Sequence, residues 1–496
     1  MLLLGIDIGT SSIKVSIVDT HSQDCVASAQ YPDSETPIES LHPGWAEQDP
    51  EMWWRHVQLA IQKANASKAY NPKDIVAIGI AYQMHGLVMV DHNQNVLRSA
   101  IIWCDSRAVQ TGDKAFHAIG EEKCLSHLLN SPGNFTASKL AWVKENEPEV
   151  YAKATSIMLP GDFIAMKLTG EITTSSSALS EGIFWDFKTN AVSEDILEQY
   201  GFEASILPVI KPVFSAHGSI KSGVADALGL KSGITVTYKA GDQPNNALSL
   251  NVMQPGEVAA TAGTSGVIYG VGDTLNYDIH SRVNSFAHVN HTATNPRIGT
   301  LLCINGTGIA NSWTKKIAGN AKSYNEINTA ASNISIGSNG LSVLPFGNGA
   351  ERMLVNKTVG AHFNGIDFNT HTDAHLFRAV QEGIAFSFRY GLDILKENGI
   401  KPNVIRAGKA NMFLSNLFAD AFVNTLQVPV ELYANDGSVG AALGAGIGAG
   451  IYKESSEAFQ HAKPLQIIEP AHNKYEQHYQ SWLGLLNKHL LNVQFV

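Results

Sequence analysis

In LLLGIDIGTSSIKVSIVD, residues 2 to 19, one carboxylate interrupts an apolar run. It is Asp7, two residues before a Gly-Thr-Ser-Ser turn. A carboxylate inside a buried strand is costly unless something compensates it. A divalent cation held through water and shared with phosphate groups would do so, and capping of the turn amides is the structural alternative. A second Gly-Thr-Ser turn, Gly263-Thr264-Ser265, sits in VAATAGTSGVIYGV, residues 258 to 271. Glycine-rich turns with hydroxyls bind phosphates because the backbone amides can approach the anion closely. Taken singly, each turn reads as a tight hairpin with local Ser/Thr hydrogen bonds. Taken as a pair, they could grip the β- and γ-phosphates of ATP, with Lys14 adding positive charge.

Asp242 is a second candidate. It leaves a strand end at Gly241 and precedes Gln243-Pro244 at a helix start, where ligands gather in α/β folds. Phosphoryl transfer to an alcohol needs a carboxylate to accept the hydroxyl proton, while a plain helix N-cap fits the same position. Gln83-Met84-His85-Gly86 breaks an apolar strand with polar side chains, the signature either of close backbone approach to a ligand or of a satisfied core histidine. Trp103-Cys104-Asp105-Ser106-Arg107 follows another strand, and an internal Asp105–Arg107 contact is as plausible there as substrate binding. The sequence contains no GxxxxGK[ST], and GIDIG lacks the GxGxxG spacing, which excludes a P-loop and a dinucleotide fingerprint.

The elements that must position these residues alternate between strand and helix. Strands are predicted over 2–8, 13–18, 74–83, 87–91, 99–105, 234–240 and 403–408, with the 258–271 hairpin. Helices are predicted over 47–64, with Asp49 as N-cap and Pro50 at N1, and over 137–154 with a proline break. Further helices are predicted over 377–399, 412–426, a Gly/Ala-rich 436–452 and the last 25 residues, 472–496. The pattern is α/β, and the two Gly-Thr-Ser turns in like settings predict an internal duplication whose cleft is bridged by packed secondary structure.

At 496 residues the chain is too long for one core. A net charge of -10 without a basic block argues against nucleic acid or an anionic membrane as partner. The four cysteines lie far apart, which points away from a disulfide framework or zinc site and toward a reducing cytoplasm. The amino-terminal MLLLGIDIG lacks the basic region of a signal peptide, and the chain has no apolar run long enough to span a membrane.

GIDIGTSSIK, AYQMHG, WCDSR, FTASKLAWV, AGDQ, AGTSG, QEGIAFSFR and GAALGAG resemble, in this order, the motifs of the FGGY carbohydrate kinases. The resemblance runs from residue 4 to about 450. With HPGWAEQDPEMWW and IIWCDSR, it is greatest to the members that phosphorylate D-xylulose. It implies two ribonuclease-H-like domains, of the actin and hexokinase superfamily, around a deep cleft. The first domain, 1–249, would take the sugar and carry the base near its end, and the second, 250–496, would take ATP. By motif, Asp242 is the implied base. Gln83, Met84, His85, Asp242 and Gln243 would contact the sugar. Thr10, Ser11, Lys14, Gly263, Thr264, Gly308, Ser312 and Asn411 would hold the nucleotide, and Asp7 would hold Mg²⁺ through water. The implied ligands are ATP, Mg²⁺ and a small sugar, and the implied assembly is a homodimer. Ribulose and glycerol are alternative acceptors, and a nucleotide-driven binding protein of the actin or chaperone type is the non-enzymatic alternative. One departure stands out: Arg406-Ala407-Gly408-Lys409-Ala410-Asn411 replaces the family's usual glycine run beside the adenosine.

Overall fold

The computed structural model describes residues 1–492. Leu3, Leu4, Ile6 and Ile8 have no exposed surface, so the first strand is apolar on both faces, as a covered central strand must be. This strand, β1 (Leu2–Ile8), turns into antiparallel β2 (Ile13–Asp19), which pairs with β3 (Cys25–Tyr31). On the other side β4 (Ile75–Tyr82) and β5 (Thr235–Gly241) add in parallel, giving the order β5-β4-β1-β2-β3.

The second sheet contains β6 (Glu257–Ala262), β7 (Gly266–Gly272), β8 (Asn284–Ala287), β9 (Ile298–Ile304), β10 (Val404–Gly408), β11 (Val430–Tyr433) and β12 (Gln466–Ile468). Its order is β8-β9-β7-β6-β10-β11-β12. The strands β9-β7-β6-β10-β11 repeat the first sheet: β6, β7 and β9 are antiparallel like β1, β2 and β3, and β10 and β11 run parallel to β6. Each Gly-Thr-Ser turn joins the first two strands of its unit, so the expected duplication is present in the topology.

The helices that bear on the site are α1 (Pro50–Ala66), α2 (Thr136–Asn146), α3 (Ser176–Glu181), α4 (Asp242–Ser249), α5 (Gly308–Ala318), α6 (Asp373–Glu397), α7 (Asn416–Leu426), α8 (Gly437–Gly448) and α9 (Glu476–Asn492). Asp49 caps α1 by accepting from Glu51 N, as predicted. The two residues before it, Glu47–Gln48, form not helix but a short strand pairing with Ala100–Ile101, all that remains of the strand expected over 99–105. The helix expected over 412–426 is interrupted where the Ser415 hydroxyl accepts from Phe418 N and starts α7 afresh, leaving Asn411–Leu414 as a 3₁₀ turn. In the carboxy-terminal stretch α9 begins later than predicted and buries Trp482 and Leu486, while residues 493–496 lie outside the described residues.

The Gly/Ala-rich helix α8 packs against β1, β2, β4, β5 and α4 of the first half, although it lies late in the chain. Glycines make that approach possible. A Cβ on Gly5 would stand 1.8 Å from Ser438 O, and one on Gly79 would stand 1.9 Å from Ala441 O. Further apolar contact between the halves brings Leu140 and Phe184 together with Tyr269 and Phe286. The result is two α/β domains with a cleft between them. All four cysteines are unpaired. Among the described residues no helix is long and apolar enough to cross a membrane.

Candidate functional site

Asp242 is the first residue of α4, directly after β5, with Gly241 at the N-cap position. It is therefore inside the helix rather than its cap. Burial, with the Asp7 charge second, raises its carboxyl to about 7, against the effect of hydrogen bonds from Gln243. Asp7 projects from β1 opposite Lys14 of β2. Burial and then the charge of Asp436 raise Asp7 to about 6, with Lys14 opposing. Asp436 itself caps α8, accepting from Ser438 N at 3.0 Å, and forms an ion pair with Lys14. Three carboxylates with one cation among them leave excess negative charge that a divalent ion would relieve. Among the described residues no three His, Cys, Asp or Glu side chains gather as a metal site. A cation here would thus take one or two carboxylates and leave its other positions to water and phosphate, as Mg²⁺ commonly does.

The sequence-predicted sugar residues lie just beyond β4. Gln83 Oε1 accepts from the Thr10 hydroxyl at 3.1 Å, and its amide donates to Gln48 Oε1 at 3.2 Å. The half-exposed Trp103 indole also donates to the Thr10 hydroxyl, at 2.9 Å. Thr10 is thus tied to this polar cluster as well as to the first turn. Met84 is buried, and His85 adopts a left-handed backbone, φ 61°. Burial, with Lys139 second, lowers the imidazole to about 3, so the ring is neutral. Its Nδ1 lies 2.9 Å from the Glu181 carbonyl, which fixes the proton on that nitrogen. Phe135 and, from the second half, Phe286 flank the ring at 4.8 and 5.4 Å. Gln243 Oε1 is buried without a partner. Asp105 and Arg107 pair with each other, so the internal contact holds there.

Across the cleft, Gly263, Thr264, Gly308, Asn311, Ser312 and Asn411 line a cavity of about 390 Å³. The second turn and the start of α5 are bound together: Gly308 N and Ile309 N donate to the carbonyls of Gly263 and Thr264 at 2.9 and 3.1 Å. The sequence-predicted nucleotide residues of the second half therefore share one cavity, while those of the first, Thr10, Ser11 and Lys14, sit on the first turn and β2. Asn311 Oδ1 is buried with no partner, an acceptor suited to a ligand amino or hydroxyl group. Arg406 does not line the cavity. Its guanidinium spans β6-β10-β11, pairing with Glu257 at 3.0 Å and Glu431 at 2.8 Å, so the departure from the glycine run is absorbed on the sheet.

Several residues at the site carry no local signal of their role. Lys139, fully buried on α2, donates to the carbonyls of His85 and Ile102 at 2.9 and 3.0 Å. Arg352 donates to Ser281 O and lies 5.9 Å from the Phe135 ring. Asp436 has the Asp-Gly-Ser form of a cap, but its partner Lys14 is 422 positions away.

Residues 2–249 match the N-terminal domain, and residues 258–449 the C-terminal domain, of the FGGY family of carbohydrate kinases. The chain belongs to this family. It is 31% identical over 491 residues to a xylulose kinase of Staphylococcus epidermidis, covering 96% of this chain and 95% of that one. A xylulose kinase of Bacillus subtilis is 28% identical over 463 residues, covering 92% of this chain and 90% of that one. The crystal structure of a xylulose kinase from Rhodospirillum rubrum superposes with a TM-score of 0.88 at 26% identity, covering 98% of this chain and 99% of that one. The two-domain α/β architecture with its cleft is thus that of a carbohydrate kinase.

Proposed function

We propose that this carbohydrate kinase transfers the γ-phosphoryl group of ATP to the terminal 5-hydroxyl of D-xylulose, with Mg²⁺ bound through water at Asp7. The observation that carries the proposal is the position of Asp242, at the head of α4 directly after Gly241, which packs against Met84, and near enough to Asp7 to feel its charge, with its carboxyl raised to about 7. The similarity to xylulose kinases along almost the whole chain supports the sugar. The repeated strand order supports a ribonuclease-H-like description of both domains.

In this reading the sugar lies against Gln83, Met84 and His85, with its reacting hydroxyl on Asp242. Asp242 accepts the hydroxyl proton as the oxygen bonds to phosphorus and the bond to the ADP oxygen breaks. Lys14, Thr10, Ser11 and the amides of both turns receive the phosphate oxygens, and the 390 Å³ cavity holds the nucleoside beside Ser312 and Asn411. Mg²⁺, when bound, supplies neutralisation of phosphate charge. Domain closure excludes water from the transfer. The deciding experiment is coupled ADP release over a panel of D-xylulose, D-ribulose and glycerol. D-xylulose should give the highest kcat/KM. ATP turnover independent of any sugar would instead indicate a nucleotide-driven binding protein.

A further inference from the structure

Glu181, the last residue of α3, is 1% exposed and belongs to none of the predicted sets. Its surroundings are specific. β4 and β5 end together at the register pair Tyr82–Gly241. From Tyr82 the chain runs into Gln83-Met84-His85, and from Gly241 it runs into Asp242. Glu181 touches both ends. The Tyr82 phenol and its carboxyl are near enough for each to shift the other's titration. Its Oε2 would stand 2.5 Å from a Cβ on Gly241, with Met84 Cγ at 2.6 Å from the same point. Its own backbone carbonyl holds the His85 ring at 2.9 Å.

We propose that Glu181 is a positioning residue for the transfer step: its carboxyl group, set against Gly241 and pairing with the hydroxyl of the neighbouring Tyr82, fixes the turn that presents Asp242, while its carbonyl orients His85. The group does this as a neutral acid. Burial, and then the neighbouring Asp242 charge, push its pKa well above the carboxylate range, and Asp162 adds to the effect. Among the described residues no lysine or arginine forms an ion pair with it. Its Oε1 is sealed from solvent without a partner, a cost that an aliphatic side chain would not incur. An acid retained at that cost, at the point where two site-bearing strands end, is explained by what it holds in place.

The proposal rests on the kinase reading above, and the test separates the two. The wild-type panel reads the sugar, and variant-to-wild-type ratios on whichever sugar is phosphorylated read Glu181. Glu181→Met should lower kcat by up to about 10²-fold, the effect of displacing a reacting group by an ångström, with KM for ATP unchanged. Glu181→Gln, which keeps an acceptor and a donor, should recover kcat to within about threefold of wild type. Tyr82→Phe should show part of the loss, and the Glu181→Met/Tyr82→Phe double variant should lose no more than Glu181→Met alone. Wild-type kcat in Glu181→Met, or additive losses in the double variant, overturns the proposal. Where Glu181→Met fails to fold, Tyr82→Phe decides, and wild-type kcat in it overturns the proposal equally.

Discussion

Lys14 and Asp436 form an ion pair across the two halves of the chain, immediately beside Asp7. Lys14 is Asp7's register partner on β2, and Asp436 caps the helix that crosses back onto the first sheet. The pair therefore keeps a cation poised next to the proposed phosphate site. Lys14→Met should reduce turnover by about 10²-fold, the scale of losing one charge-stabilising group in transfer. Because the pair is partly exposed, thermal stability should change little. Coupled ADP release and thermal unfolding check both expectations, and unimpaired turnover would release Lys14 from the phosphate role.

Asp242 as the base sets a pH dependence. In the proposed role the group works as a carboxylate, and burial followed by the Asp7 charge raises it to about 7. On the acid side it is protonated and idle, so kcat/KM should climb with pH through a midpoint near 7 and level off above it. Asp7→Asn removes the second of those causes and should move the midpoint to lower pH while slowing the reaction. Asp242→Asn should cost roughly 10²–10⁴-fold in kcat. A flat profile across the acidic range, or near-full turnover in Asp242→Asn, would remove Asp242 from this role.

What could be read in the sequence follows the range of the interactions. The hairpins, the Asp49 cap and the Gly-Thr-Ser repeat are set by neighbours in the chain, and they appear where expected. The strand over 99–105 and the helix start at 47 were lost because Glu47–Gln48 and Ala100–Ile101 prefer each other, a pairing no local period reveals. The candidate site divides the same way. Asp7, Asp242 and the turns stand out as polar breaks in apolar runs. Glu181 and Lys139 are each polar residues in short helices whose meaning comes from carbonyls and strand ends far along the chain. The helix α8 illustrates the limit: its small residues announce close packing, but not that the partner is the first sheet.

Gly437 offers a steric test of the Asp7 site. A Cβ there would lie 2.3 Å from Asp7 Oδ2. Gly437→Ala must therefore push either the carboxylate or the start of α8, which Asn245 holds through the Gly437 carbonyl at 2.9 Å. The expected result is a stability loss of about 1–3 kcal/mol, as for overpacking elsewhere. A higher Mg²⁺ concentration should also be needed for half-maximal rate. Denaturant unfolding and a Mg²⁺ titration of activity measure the two effects, and an unchanged Mg²⁺ requirement would separate Asp7 from the metal.

Lys139 gives the corresponding test on the sugar side. Burial lowers its ammonium to about 7, while the Asp105 charge opposes that shift. Its two carbonyl acceptors, on His85 and Ile102, are the backbone of the strand break and of the segment leading to Trp103. The His85 backbone, at φ 61°, is strained for a non-glycine residue and needs such support. Lys139→Met leaves the His85 carbonyl unpaired and the Ile102 carbonyl with Asp105 N alone, at an expected cost of about 1–3 kcal/mol in stability. Because His85 loses one of its two anchors while the proposed nucleotide cavity is untouched, KM for the sugar should rise several-fold and KM for ATP should stay put. Steady-state kinetics with each substrate varied in turn read that split, and equal rises in both KM values would show that Lys139 supports the fold at large rather than the sugar pocket.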